Sequence, residues 1–125
     1  MNTKQLFILT LLLLFQLTAV QAQDDYYMRQ AKKHMQDAEY YQRRAESYER
    51  DAAYYNRQAQ SYMREAEYYT RNGKLDKAQL NSRWAQDATD KANTRLRWAQ
   101  DAREKAAQRM KWAQDAMEQA QQHSR

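Results

Sequence analysis

Alanine recurs at every seventh position in two separate series: 31, 38, 45, 52, 59 and 66, then 78, 85, 92, 99, 106, 113 and 120. No other feature limits the possible folds so tightly. In the first series a ring precedes each alanine by four residues: Tyr27, His34, Tyr41, Tyr48, Tyr55 and Tyr62, with Tyr69 continuing the row. Alternating steps of four and three mark the seam of a coiled coil, here with alanine at a and tyrosine at d. A strict seven-residue period implies left-handed supercoiling. Low Leu, Ile, Val and Phe content beyond residue 22 would ordinarily signal disorder. A disordered segment, however, has no reason to keep a heptad.

The two alanine series are out of phase. Ala66 and Ala78 are twelve residues apart, and continuing the first seam would put Gly73, Leu80 and Asp87 on it. Gly73 is the only glycine, and there is no proline. Asn72-Gly73 is therefore where the chain can adopt φ > 0 and reverse. The expected fold is all-α: a long antiparallel two-helix coiled-coil hairpin with an alanine-rich seam. Its helices cover 24–71 and 75–122, with a turn at 72–74 and Asp76 in the first turn of the second helix, where negative charge suits the dipole. At ~1.5 Å per residue such a rod would be roughly 70 Å long.

Folding the chain about Gly73 pairs residues whose numbers add to 144, and every alanine from Ala31 to Ala66 then meets an alanine of the second series. The same rule sets Tyr69, Tyr62, Tyr55, Tyr48, Tyr41, His34 and Tyr27 opposite Leu75, Ser82, Thr89, Leu96, Arg103, Met110 and Met117. It also brings Asp37 near Arg109 and Asp51 near Arg95. Alanine at one seam position per heptad lets the helices approach to the low end of the ~8–10 Å range.

A fourteen-residue repeat overlies the heptads. Tyr-Tyr pairs begin at 26, 40, 54 and 68 in the first half, and Arg/Lys-Trp-Ala-Gln-Asp-Ala begins at 83, 97 and 111 in the second. Tyr26, Tyr40, Tyr54 and Tyr68 fall at c of the first helix. Trp84, Trp98 and Trp112 fall at c of the second, alternating with Lys77, Lys91 and Lys105, while Ala88, Ala102 and Ala116 fall at g. Both aromatic rows then flank one face, the candidate partner- or ligand-binding surface. Regularly exposed tryptophan calls for a partner. Arg29, Arg43, Arg50, Arg57, Arg64 and Arg71 form a separate row at f, read as a solvated face with Glu39, Glu46 and Glu67 four residues before three of them.

Residues 1–22 read as a cleaved secretory signal: Lys4, an apolar run from Leu6 to Phe15, and Val20-Gln21-Ala22 before the cut. The apolar run falls short of the ~20 residues of a membrane span, so no transmembrane segment is expected in the mature chain. The absence of cysteine excludes disulfides and a lipid-modified cysteine. The expected location is outside the cytoplasm, extracellular or periplasmic.

Reactive chemistry is absent from the pattern. His34 and His123 cannot share a metal in this register, and no Cys or paired-His spacing exists. Carboxylates lie on solvated helix faces, without the pocket that an acid/base pair needs. Ser47, Ser61 and Ser82 have no neighbouring base, and no glycine-rich loop could cradle phosphate. Neither an enzyme, a cofactor nor a metal is expected. The net charge of +5 is small and mixed in sign, which argues against nucleic acid. Two roles are left: a secreted structural or interaction protein self-associating through its Tyr/Trp face as a homo-oligomer, or a binding module that holds an anionic polysaccharide or envelope surface through its Trp/Lys row.

Overall fold

A computed structural model describes residues 3–5, 8 and 25–123, so the signal-peptide reading of 1–22 falls almost wholly outside the described residues. Two long helices pack against each other as a hairpin: α1, Asp25–Arg71 (47 residues), and α2, Leu75–His123 (49 residues). Neither contains glycine or proline, and both are rich in Ala, Gln and Arg, which have high intrinsic helix propensity. No helix among the described residues is long and apolar enough to cross a membrane.

The reversal is a Schellman motif built on Gly73, whose φ is 73°. Lys74 N–H donates to the Tyr69 carbonyl at 2.8 Å and Gly73 N–H to the Thr70 carbonyl at 3.1 Å, satisfying the last carbonyls of α1. Asn72 adds a side-chain bond, its Nδ2 donating to the Tyr68 carbonyl at 2.8 Å. Helix α2 starts at once: the Lys74 carbonyl accepts from Ala78 N–H at 3.0 Å, with Asp76 in the first turn. A Cβ added at Gly73 would meet nothing within 4 Å, so the requirement for glycine is conformational, not steric.

By contacts the chain divides into two compact units. The turn unit is Ala45–Gln100, and the terminal unit combines Met1–Arg44 with Asp101–Arg125. In the turn unit Ala45, Ala52, Ala59 and Ala66 are buried on α1, and Ala78, Ala85, Ala92 and Ala99 on α2. Ala88 and Asn81 are buried with them. The terminal unit buries Ala31 and Ala38 with Ala106, Ala113 and Ala120, together with Ala102 and Ala116. Met35, Met110 and Met117 thicken its core, and Tyr41 packs against the cluster. In this unit Arg103 also donates to the Thr3 hydroxyl at 3.1 Å.

The ring and cation contacts to the tyrosines described here come from the c and g residues of α2, rather than from the a residues that the 144 rule assigns. Leu75 and Leu96 are exposed, as is Ser82, whereas Asn81, Ala88, Ala102 and Ala116, three residues after Ala78, Ala85, Ala99 and Ala113, are buried. Ring contacts across the hairpin such as Tyr48 with Trp98 and Tyr62 with Trp84 have numbers adding to 146, and the arginine contacts to Tyr55 and Tyr41 have numbers adding to 150. The reason is side-chain size. Ala85, Ala88 and Ala92 form a denser small-residue stripe than Ser82, Ala85 and Thr89, so α2 turns that stripe inward, and its c residues swing over the tyrosines. Thr89 turns its hydroxyl back to donate to the Ala85 carbonyl at 2.9 Å. Only in the terminal unit are the expected partners Met110 and Met117 buried, because a long flexible side chain still reaches the core.

Two stability changes should follow. Ala45→Leu or Ala99→Leu overfills the seam and should cost about 1–3 kcal/mol, lowering the melting temperature by several degrees, whereas Ala53→Leu on the exposed side of α1 should leave it unchanged. Gly73→Ala should cost about 1 kcal/mol through its positive φ, and thermal melts followed by circular dichroism at 222 nm check both.

Candidate functional site

The c row of α2 lies over the d row of α1 in two alternating arrangements. In the first, an indole meets a ring. Trp98 stands edge-on to Tyr48 at 5.5 Å and 68°, and Trp84 meets Tyr62 at 5.6 Å and 54°, both in the turn unit. In the terminal unit Trp112 stands edge-on to His34 at 5.5 Å and 70°. Such pairs contribute ~0.5–1.5 kcal/mol beyond their burial. In the second arrangement a lysine ammonium lies over a tyrosine: Lys77 over Tyr69 at 5.5 Å, Lys91 over Tyr55 at 5.7 Å, and Lys105 over Tyr41 at 5.6 Å. The three lysines expected to face a ligand therefore already have aromatic partners.

Each covered tyrosine also carries an exposed neighbour. Tyr26, Tyr40, Tyr54 and Tyr68 stand edge-on to Tyr27, Tyr41, Tyr55 and Tyr69 at 5.2–5.4 Å. They are 50–57% exposed, and Trp84, Trp98 and Trp112 are 40–43% exposed. The ten residues singled out in the sequence are thus partly covered rather than free, and each belongs to a local stack. Tyr54 is further fixed by Gln58, whose Nε2 donates to its hydroxyl at 2.9 Å. At the far end of the terminal unit Tyr27 stacks on His123 at 5.1 Å and 13°.

Two cations of this surface are more tightly engaged than the lysines. Arg95 lies 4.4 Å from the centre of the Trp98 ring and 5.8 Å from that of Tyr55. Arg109 stands in the same relation to Trp112, at 4.3 Å, and to Tyr41, at 5.7 Å. Their ion pairs with Asp51 and Asp37 are long, 3.8 and 4.0 Å, and the carboxylates are half exposed. A pair of that kind is worth ~0–1 kcal/mol, so the indole faces, not the carboxylates, set the guanidinium positions. The sequence pointed to the two ion pairs but not to the stacking. The signal was there in the spacing, since each arginine precedes a tryptophan by three residues on one helix face.

Shallow hollows lie between the stacks. One, of about 220 Å³, has Ala88 as its floor, Tyr55, Tyr62 and Trp84 as walls, and Gln58, Asp87 and Lys91 on its rim. It is smaller than the ~300–1,000 Å³ of most small-molecule pockets, and suits one ring or one side chain. Among the described residues no group of three or more His, Cys, Asp or Glu could hold a metal ion. Of the expected Glu–Arg pairs along α1, none joins the ion pairs described here, which cross between helices. No family model matches this chain, and comparisons with curated proteins and with solved structures return no match.

Replacing Arg95 separates stacking from ion pairing. Arg95→Gln should destabilise by roughly 1 kcal/mol, the order of a cation–π contact, and alter the Trp98 emission. Asp51→Asn should stay within about 0.5 kcal/mol of the parent in urea melts.

Proposed function

We propose that this chain is exported after removal of residues 1–22, forms an antiparallel coiled-coil hairpin, and serves a structural or interaction role by self-associating through its Tyr/Trp surface. The observation that carries the reading is an imbalance of burial. Among the described residues the core holds alanines and a few methionines, and no large side chain is fully buried. Meanwhile three tryptophans and four tyrosines keep about half their surface in water. Alanine burial contributes little per residue, so most of the unspent apolar area lies outside. A second copy is the occupant that fits best. A surface repeating every fourteen residues offers the same alternation of rings and cations at each step, and a two-fold arrangement sets such a patch against itself.

A second reading has its own support. The hollow above Ala88 has aromatic walls and a rim of Gln58, Asp87 and Lys91, a combination suited to a sugar ring. On that reading the chain is a binding module for an anionic polysaccharide or envelope surface.

Sedimentation velocity over a range of protein concentrations tests the first reading. The parent chain should shift to larger species as concentration rises. The Trp84→Ala, Trp98→Ala, Trp112→Ala variant should remain monomeric, as should the milder Tyr40→Glu, Tyr54→Glu variant, whose exposed rings carry less of the fold. A monomeric parent at all concentrations, with tryptophan quenching by an acidic glycan, would reverse the order of the two readings.

A further inference from the structure

The fourteen-residue repeat puts one position of α2 in the same place at 123, 109, 95 and 81, and at 123 it places His123, stacked on Tyr27. At 109 and 95 it places an arginine. Arg109 has Trp112, Tyr41 and Asp37 around it, and Arg95 has Trp98, Tyr55 and Asp51. One further step toward the turn keeps the surroundings, as Trp84, Tyr69 and Glu65, but replaces the arginine by Asn81. Lys77 over Tyr69 at 5.5 Å repeats Lys91 over Tyr55 and Lys105 over Tyr41. By position in the repeat, the third stack lacks only its guanidinium.

Asn81 does not fill the gap. Its Nδ2 turns back to donate to the Lys77 carbonyl at 2.9 Å, and its Oδ1 is buried without a hydrogen-bond partner, in a residue only 4% exposed. A buried acceptor lacking a donor costs ~1–3 kcal/mol. Among the described residues Trp84 carries no stacked cation and Glu65 no ion pair. Trp84 also meets its ring partner at 54°, against 68° and 70° for the two indoles that an arginine covers.

We infer that Trp84, Tyr69, Glu65 and Asn81 form a receptor site for a guanidinium group brought from outside the hairpin. Two ring faces, a carboxylate and an unmet acceptor are what a planar cation with five N–H donors requires. The occupied repeats show that a tyrosine here accepts a guanidinium beside its lysine. A second lysine would fit less well, because an ammonium is a compact, strongly hydrated charge that does not stack. The inference does not depend on self-association. The guanidinium can come from a free compound or from an arginine of a second copy, for which the exposed row at Arg50, Arg57 and Arg64 is available.

The test uses Trp98→Phe, Trp112→Phe protein, in which Trp84 is the only indole, alongside the parent followed by the indole N–H resonance of Trp84. Titration with N-acetylarginine amide should give a saturable change in the millimolar range, and neutral N-acetylcitrulline amide should give none. Asn81→Arg should fill the site from within. It should abolish the response and raise the melting temperature, while Asn81→Ala, which removes the unmet acceptor but leaves both rings and the carboxylate, should weaken the response several-fold without abolishing it. If Trp84 approaches the probe-bound value on raising protein concentration alone, and Asn81→Arg prevents this, a second copy supplies the group. If only the added probe moves Trp84, the source is a free guanidinium compound. An equal response to the citrulline probe, a response that never saturates, or one that persists in Asn81→Arg overturns the inference.

Discussion

Close contact between two stripes of alanine is the condition on which the rest of the structure depends. A larger residue on either stripe would hold the helices apart and lift the c row of α2 away from the d row of α1. Because the stripes are small, rings that would otherwise project into water reach across instead. Tyr62 then meets Trp84, and Tyr48 meets Trp98, at 5.5–5.6 Å. The seam thus has two layers. The inner one sets the separation and adds little apolar area per residue. The outer one, of rings and the cations above them, supplies much of the specific interaction, each contact being worth ~0.5–1.5 kcal/mol.

This division of labour explains what could be read in the sequence and what could not. The hairpin was legible because a phase break of the alanine series coincides with the only glycine, and both are local signals. The bonds from Lys74 and Gly73 to Tyr69 and Thr70 give that glycine its physical role. The facing of α2 was harder. Residues before and after each alanine are equally spaced candidates for the seam, and the heptad alone does not choose between Ser82 and Ala88. In the turn unit size chooses: the buried Ala88 takes less room than Leu75 or Leu96, which stay exposed. There the smallest side chains, not the apolar ones, mark the inward side of α2, while Met110 and Met117 enter the core of the terminal unit.

The same rotation changes the character of the candidate surface. Had the tryptophans projected freely beside the seam, each would offer two open faces and the lysines would be available to any anion. Instead Arg95 and Arg109 cover one face of Trp98 and Trp112, and the lysines lie over tyrosines. A partner meets ring edges, one remaining face and the outer side of a cation. That favours a partner of similar make-up, with rings and cations of its own to interleave, over one that is simply acidic. The hollow above Ala88 is the local exception, since there a small residue leaves room between stacks.

The repeat is least regular near the turn. Asn81 stands where two arginines stand elsewhere, and Leu75 and Leu80 are exposed around it. Thermodynamic selection for a stable hairpin alone would favour arginine at 81, since the flanking rings and carboxylate are already in place and the asparagine leaves a buried acceptor unmet. Retaining an unmet group beside an uncovered indole costs stability in a unit whose core is otherwise alanine. A cost of that kind is what a binding position imposes, because a stack completed within the chain has nothing left to offer a guanidinium from outside.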